Sequence, residues 1–333
     1  MTDPDATKSQ HPYQSLTPDV VLDALEACGL EADGRLLALN SYENRVYQIG
    51  TFDGFVIGKF YRPERWPDAA ILEEHAFAAE LAAQEIPVVA PLADAAGETL
   101  HHHAGFRFAL FPRRGGHWPP LDDPDTLLRL GRFLGRLHAV GATRPFAHRP
   151  GLEVEGYAGE ALRFLLAHDF VTPALRGEYQ RWAEQVLAQC REAFTRAGQI
   201  ATLRLHGDCH PGNILWTDAG GHLVDLDDCR SGPAIQDLWM LLSGERPQMV
   251  AQLSELLEGY EEFHDFDRRE LALIEPLRAM RMLYYSGWLA RRWEDPAFPM
   301  NFPWFGNERY WEEQILALRE QSQRLEEAPL KLF

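Results

Sequence analysis

One short segment of the chain carries the residue types that phosphoryl transfer requires. It reads HGDCHPGN over residues 206–213, and Asp208 precedes Asn213 by five positions. This is the spacing of the phosphoryl-transfer loop H-R-D-x-x-x-x-N, with Gly207 in place of the arginine. In such a loop the carboxylate orients the attacking hydroxyl and accepts its proton, while the amide oxygen binds a metal that bridges the phosphates. We therefore predict Asp208 as the catalytic base and Asn213 as a metal ligand.

A second carboxylate follows twelve residues after this loop, in the sequence VDLDD. Mg²⁺ prefers oxygen ligands and is often held by one or two carboxylates together with phosphate oxygens. Asp225 ends an apolar run that predicts a buried strand, so we assign the metal to Asp225 and keep Asp227 as the second choice. A run of acidic residues in isolation more often indicates a solvated turn.

A cation for the nucleotide phosphates is predicted on a strand near the N-terminus. Lys59 lies in FVIGKFY, where polar and apolar residues alternate as in the V-A-I-K strand of kinases. Such a lysine needs a carboxylate from the following helix. Glu74 shares the apolar face of that predicted helix and is preferred, while the adjacent Glu73 remains the alternative.

The phosphate cover must differ from a glycine-rich loop, because no G-x-G-x-x-G lies between residues 30 and 60. The sequence LNSYENRVY (39–47) is the candidate, with donors from Asn40, Ser41 and Asn44. An ordinary polar hairpin turn would have the same composition.

The elements around these residues change in type along the chain. Short strands at 35–39, 45–49 and 55–61, a helix over 68–84, and further strands in PVVAPL and in the pair LHHH and FRFALF predict an α+β unit. From residue 122 the pattern is helical, over 122–141, 157–168, 173–197, 248–263, 268–292 and 308–327. We expect a flexible tail over 1–14, a nucleotide-binding lobe over 15–112 and a catalytic and substrate lobe over 113–330. Asp237 is expected either to cap a helix or to brace the loop backbone.

Composition limits the classes of binding partner and the cellular compartment that we expect for this chain. The formal net charge is −18 over 333 residues, which argues against a nucleic-acid groove lined by Lys and Arg. Four cysteines without a C-x-x-C pair favour a reducing compartment. The chain shows no apolar run long enough for a membrane span and no targeting segment. We therefore expect a cytoplasmic monomer that engages neither membrane nor nucleic acid.

Several stretches, including LNSYENRVYQ, LRLHGDCHPGNILW, GPAIQDLWMLL and RRWEDPAFPMNFPW, resemble the aminoglycoside phosphotransferase/choline kinase-like branch of the protein-kinase-like fold. Within that branch, the chain is most similar to the bacterial stress response kinase A family over about residues 15–330. The resemblance implies a two-lobed, ATP- and Mg²⁺-dependent enzyme that phosphorylates Ser and Thr of proteins in a stress response. It also implies Ser41 near the nucleotide, Asp208 as base, and Asn213 with Asp225 on the metal.

Two other functions stay open at this point. A kinase for a small amino alcohol or amino sugar would suit acidic residues such as Asp227, Asp228 and Glu275, which could attract a cationic metabolite. A nucleotide-binding pseudokinase is disfavoured because every part needed for phosphoryl transfer is present. Only about a dozen residues separate Asp225 from Asp237, which leaves no room for an activation segment and leaves the acceptor class undetermined.

Overall fold

The computed structural model describes residues 11–218 and 220–332. The chain divides into two compact units, neither of which is continuous in sequence. The first unit contains the described residues up to Leu72, then Ala90–Arg113 and Arg292–Pro303. The second contains Glu73–Val89, Arg114–Arg291 and the chain from Trp304 onward. One change of unit falls between Arg113 and Arg114, and the sequence shows no signal for placing 73–89 in the second unit or 292–303 in the first.

Within residues 11–218 and 220–332, nine strands form three small sheets. The strands are β1 (Ala32–Ala38), β2 (Arg45–Thr51), β3 (Gly54–Phe60), β4 (His101–His103), β5 (Phe106–Pro112), β6 (Leu203–Leu205), β7 (Ile214–Thr217), β8 (Gly220–Leu223) and β9 (Arg230–Gly232). The first unit holds one antiparallel sheet in the order β1-β2-β3-β5-β4. In the second unit β6 pairs with β9, and β7 pairs with β8.

Helices occur in both units and make up most of the second. The helices are α1 (Pro18–Ala27), α2 (Asp68–Ala83), α3 (Pro124–Gly141), α4 (Glu160–Ala167), α5 (Pro173–Ala197), α6 (Ile235–Trp239), α7 (Arg246–Tyr260), α8 (Ile274–Arg291), α9 (Ala297–Asn301) and α10 (Glu308–Arg324). Helix α1 begins as predicted, with Thr17 accepting a hydrogen bond from the amide of Val20 and with Pro18 in the first turn. The mixed α+β class, with a small antiparallel sheet near the N-terminus, is confirmed.

The core of the first unit lies between α1 and the sheet. Ile49, Phe60 and Phe108 from the sheet pack with Val21 and Leu25 of α1. The predicted flexible tail falls partly outside the described residues, which begin at 11. Within it, Tyr13 is buried and donates from its hydroxyl to the carbonyl oxygens of Glu43 and Phe60, so order begins before residue 15.

Three sequence predictions differ from the structure in detail. PVVAPL (87–92) is not a strand and makes one bridge, from Val88 to Leu223, because two prolines remove the amides that a strand would use. The helix predicted over 157–168 starts as a π-helical turn, Val154–Gly159, before α4. The helix predicted over 268–292 starts with a 3₁₀ turn, Arg268–Leu273, before α8. Among the described residues, none of the helices combines the length and apolarity needed to cross a bilayer.

Candidate active site

The predicted catalytic loop follows β6 in the second unit, and its backbone explains the departure at Gly207. Gly207 has φ +85°, a left-handed conformation that favours glycine. A Cβ at this position would lie 2.2 Å from the carbonyl oxygen of Asp228. The arginine of the usual motif therefore does not fit here. The next residue, Asp208, is partly exposed and so is accessible to an acceptor.

Asp237 braces this loop from α6. Its two carboxylate oxygens accept the amides of His206 at 2.7 Å and of Gly207 at 2.8 Å. His138 lies 3.1 Å from one of the same oxygens, and both side chains are fully buried. Burial raises the pKa of the Asp237 carboxyl, but hydrogen bonding to His138 and the loop amides outweighs it, so the net pKa lies below the usual value. Of the two expectations for Asp237, the structure shows the brace.

Glu270 holds the start of α6 and carries an unusual protonation equilibrium. It is buried and accepts the amide of Ile235 at 2.8 Å. Burial raises the pKa of Glu270 to about 7, against an ordinary value of 4.5. Between these pH values the folded protein keeps a proton that the unfolded chain releases, so the free energy of unfolding falls as pH rises.

We expect the pH dependence of unfolding to report this group. Wild-type stability should fall between about pH 4.5 and 7 by up to roughly 3 kcal/mol from this residue. Glu270→Gln keeps an acceptor oxygen and should remove that slope, which makes the variant more stable than wild type at pH 8. Urea unfolding at pH 5, 6, 7 and 8 measures both. Glu262→Gln, in an exposed ion pair with Arg132, is the matched control and should leave the slope unchanged; equal slopes for Glu270→Gln and wild type would contradict the assignment.

The two predicted metal ligands lie close together in the second unit. The side-chain nitrogen of Asn213 donates to the carbonyl oxygen of Asp208 at 3.0 Å, which fixes the amide orientation. The backbone oxygen of Asn213 accepts the amide of Val224 at 3.0 Å, so the residue directly before Asp225 is hydrogen-bonded to Asn213. Asp225 is exposed and has φ +59°. Its oxygens and the Asn213 amide oxygen are hard donors of the kind that Mg²⁺ prefers.

The reserve residue Asp227 has a different environment. Its side chain is buried, and its carbonyl oxygen accepts Arg149 Nη1 at 2.9 Å. All residues from 225 to 237 are described, and they form a 3₁₀ turn (Leu226–Asp228), β9 and the start of α6. This short segment therefore holds no activation loop, in agreement with the spacing in the sequence.

Asp208 has two cationic or polar neighbours that the sequence did not predict. Arg281 of α8 donates from Nη1 to Asp208 Oδ1. His210 Nε2 lies 3.5 Å from Asp208 Oδ2. Burial lowers the pKa of His210, and Asp208 only partly opposes this, so the ring is neutral near pH 7. Its Nδ1 accepts the amide of Gly212, which leaves the proton on Nε2, facing Asp208.

Glu73 and Glu74 of α2 have distinct partners within the second unit. Glu73 accepts the backbone amides of residues 147–149, at 2.6 to 3.0 Å. Glu74 is buried and accepts Arg149 Nη2 at 2.7 Å. Arg149 therefore links the carboxylate of α2 to the backbone at Asp227. Nothing in the sequence distinguished this arginine, because its role depends on a loop packing against α2.

Lys59 lies in the first unit, on a central strand. Strand β3 pairs with β2 and β5, and Lys59 stands opposite Val46 and Ala109. Its side chain is buried, with Nζ 5.2 Å from the centre of the Tyr61 ring. An ordinary lysine at a sheet edge would be exposed. Lys59 is therefore a buried lysine on an interior strand and not an exposed edge residue.

The loop between β1 and β2, residues 39–44, is held by a buried ionic cluster in the first unit. Ser41 Oγ donates to the carbonyl oxygen of Asn44. The side chain of Asn44 accepts the amide of Arg62, and Arg62 donates to the carbonyl oxygens of Tyr42 and Glu43. Arg62 therefore bonds this loop at Tyr42, Glu43 and Asn44.

Asp295 completes this cluster from the segment 292–303. It accepts Arg62 Nη2 at 2.8 Å and Arg45 Nη2 at 2.9 Å and is almost wholly buried. Arg292 and Arg65 contact Glu43 of the same loop. The motif RRWEDPAFPMNFPW thus supplies charge to the loop that contains Ser41, a role that its aromatic content did not suggest.

Comparison with known proteins assigns the family. The sequence pattern of the phosphotransferase enzyme family (APH) matches residues 35–274. Stress response kinase A of Escherichia coli K12 is 48% identical over 326 residues, covering 96% of this chain and 97% of that protein. The chain belongs to the phosphotransferase enzyme family, in its stress response kinase A group. The serine/threonine protein kinase RdoA of Salmonella typhimurium LT2 is likewise 48% identical, over 322 residues, with 96% of this chain and 97% of that protein covered.

Solved structures of the family show the same fold at low sequence identity. An amicoumacin kinase, hAmiN, in complex with AMP-PNP, Ca²⁺ and Ami superimposes with a TM-score of 0.70 at 20% identity, over 95% of each chain. A microcompartment-associated aminopropanol kinase gives 0.69 at 17% identity, over 92% of this chain and 97% of the other. The phosphotransferase assignment confirms both the kinase-like fold and the enzymatic nature predicted from the sequence.

Proposed function

We propose that the chain is an ATP- and Mg²⁺-dependent serine/threonine protein kinase. The observation that carries this proposal is the hydrogen-bonded unit of Asp208, Asn213 and the backbone before Asp225. Asn213 and Asp225 would hold Mg²⁺, which when bound neutralises charge on the phosphates. Ser41 and Lys59 would bind the nucleotide, and Glu74 would support the lysine.

The transfer itself needs one proton acceptor from the protein. The acceptor hydroxyl gives its proton to Asp208 as its oxygen attacks the γ-phosphorus, and the bond from that phosphorus to the β–γ bridging oxygen breaks to release ADP. Arg281 donates to Oδ1, so Oδ2, which lies 3.5 Å from His210 Nε2, is the oxygen left to receive the proton. Because little covalent chemistry is asked of the protein, orientation and charge supply most of the acceleration.

Two observations support a protein acceptor. One relative with 48% identity is named a serine/threonine protein kinase. Two of the three acidic residues that would attract a cationic metabolite are paired within the chain: Asp228 with Arg230, and Glu275 with Arg278 and Gln321. The second candidate, a small-molecule amine kinase, is favoured by the fold neighbours, which include an aminopropanol kinase.

The four cysteines are free thiols, and Cys190, Cys209 and Cys229 are buried. Burial raises the pKa of the Cys209 thiol, and Asp237 and Asp208 raise it further, so this neighbour of the base stays protonated. We place the activity in the cytoplasm, where ATP is present and thiols remain reduced.

The deciding experiment offers both acceptor classes to the same enzyme. Purified protein is incubated with γ-labelled ATP and Mg²⁺, in separate tubes with a Ser/Thr-rich protein and with a protein-free metabolite extract. Asp208→Asn supplies the background in each tube. Label in the protein acceptor above that background supports the proposal, whereas label only in the metabolite fraction assigns the chain to small-molecule kinases. EDTA should abolish the signal, and added Mg²⁺ should restore it.

Asp295 gives a separate test of the Ser41 loop. Asp295→Asn removes the charge shared by buried Arg62 and partly buried Arg45. We expect it to loosen the loop and raise KM for ATP about tenfold, with a smaller change in kcat, because one buried ion pair is worth a few kcal/mol and only part of it bears on the nucleotide. Asp267→Asn, whose exposed carboxylate pairs with Arg269, is the control and should leave KM unchanged. Equal KM values for Asp295→Asn and wild type would show that the cluster does not act on the nucleotide.

A further inference from the structure

The base of the proposed reaction is bonded to a cation from a helix. Arg281, on α8, donates to Asp208 Oδ1, and both side chains remain partly exposed, at 32% and 21%. Burial lowers the pKa of the Arg281 guanidinium, but Asp208 more than offsets this, so the arginine stays charged. A charged donor on one carboxylate oxygen fixes the rotamer of the base and directs Oδ2 toward the acceptor.

The charge balance of this pair changes during phosphoryl transfer. When Asp208 takes the proton of the acceptor hydroxyl, its negative charge disappears while Arg281 remains positive. Asp228, the other carboxylate that acts on Arg281, does not replace it, because Asp228 is already paired with Arg230 at 3.0 Å. An uncompensated guanidinium therefore faces the acceptor at the moment of transfer. A carboxylate on the acceptor would stabilise that state, and an ammonium would destabilise it.

We propose that Arg281 is a specificity-determining and positioning residue that favours acceptor hydroxyls flanked by carboxylates over hydroxyls flanked by cations. This inference rests on the proposed protein kinase function and names its substrate class: Ser or Thr in an acidic sequence context. Neighbouring Arg278 does not share the role. It lies one turn earlier on α8, pairs with Glu275 and lies over the ring of Trp239.

The test compares three peptides that differ only in the residues flanking one serine, which are Asp, Ala or Lys. For the wild type we expect kcat/KM to fall in that order, with the Asp peptide at least tenfold above the Lys peptide at low salt. The ratio should shrink as ionic strength rises, because the charges are partly exposed. Arg281→Gln should bring the ratio close to one, while Arg281→Lys should keep the order at a lower rate. Arg278→Gln should keep the wild-type ratio.

The ratio of two peptides measured on one preparation does not depend on the fraction of active enzyme, so partial misfolding of a variant does not alter it. If Arg281→Gln fails to fold, the wild-type order and the Arg281→Lys variant decide. Absence of a preference in the wild type, or a preference that survives in Arg281→Gln, overturns the inference while the kinase function stands.

Failure of the proposed protein kinase function would give a different result. If label enters only the metabolite fraction, both proposals fall together. If the protein acceptor is labelled but none of the three peptides is, the phosphorylated sites mapped in that acceptor decide. Enrichment of Asp and Glu around them supports the inference, and a neutral or basic context overturns it.

Discussion

Asp208→Asn is expected to reduce kcat by about 10²- to 10⁴-fold while the affinity for ATP stays close to that of the wild type. The substitution keeps the shape of the side chain but removes the proton acceptor, and general base catalysis contributes acceleration of that order. It also removes the charge opposite Arg281. Steady-state phosphoryl transfer and fluorescence titration with a nucleotide analogue measure the two quantities separately.

The control for this variant is Asp265→Asn, which changes an exposed carboxylate before Phe266 and should leave both quantities unchanged. Turnover retained in Asp208→Asn would exclude the role of base. Loss of ATP affinity together with turnover would instead indicate that the loop had collapsed, which thermal unfolding of the same preparation detects.

Asp237→Ala is expected to have the largest effect on stability. It leaves the amides of His206 and Gly207 and the ring of His138 without their buried acceptor. Removing one partner of a buried ionic or hydrogen-bonded group costs about 3–5 kcal/mol, so the free energy of unfolding should fall by about that amount, and kcat should fall as the loop loses its orientation. Urea unfolding at pH 7 measures the first effect.

Asp237→Asn provides a second, milder variant in case the alanine form does not fold. It keeps one acceptor oxygen but places an NH₂ group against a backbone amide, so we expect an intermediate loss. Because the pKa of Asp237 lies below its usual value, its contribution to wild-type stability is present above about pH 4 and is lost as pH falls through the folded pKa. Stability and turnover both within experimental error of wild type in Asp237→Asn and Asp237→Ala would show that the brace is dispensable.

The sequence predicted most of what depends on local pattern. Helical periodicity and the cap at Thr17 placed α1, and the spacing of Asp208, Asn213 and Asp225 predicted residues that the backbone brings together. The apolar residues of PVVAPL also predicted a strand, which does not form because Pro87 and Pro91 lack the amide hydrogens that strand pairing uses. The identity of the metal and the roles of all the predicted site residues stay predictions: Ser41, Lys59, Glu74, Asp208, Asn213 and Asp225.

The residues that the sequence could not reveal act over long separations. Arg281 reaches Asp208 across 73 positions, and Asp295 reaches Arg62 across 233. A buried charge is stable only beside its partner, yet no periodicity or motif encodes which partner will be adjacent after folding. The available signal in this chain was the number of arginines in EPLRAMR (275–281) and RRWEDPAFPMNFPW (291–304). The charges of these arginines need anionic partners once the helices pack.

The assignment of Arg292–Pro303 to the first unit has a consequence for synthesis of the chain on the ribosome. Domains generally fold from the N-terminus as they emerge, but here Arg45 and Arg62 are translated 250 and 233 residues before Asp295, their shared carboxylate. Until that late segment leaves the exit tunnel, the Ser41 loop has two arginines and lacks the acid that fixes them. The Ser41 loop can therefore reach its final form only after residues 292–303 have left the exit tunnel, and a nascent chain that stalls before residue 292 would not hold this loop in its final form.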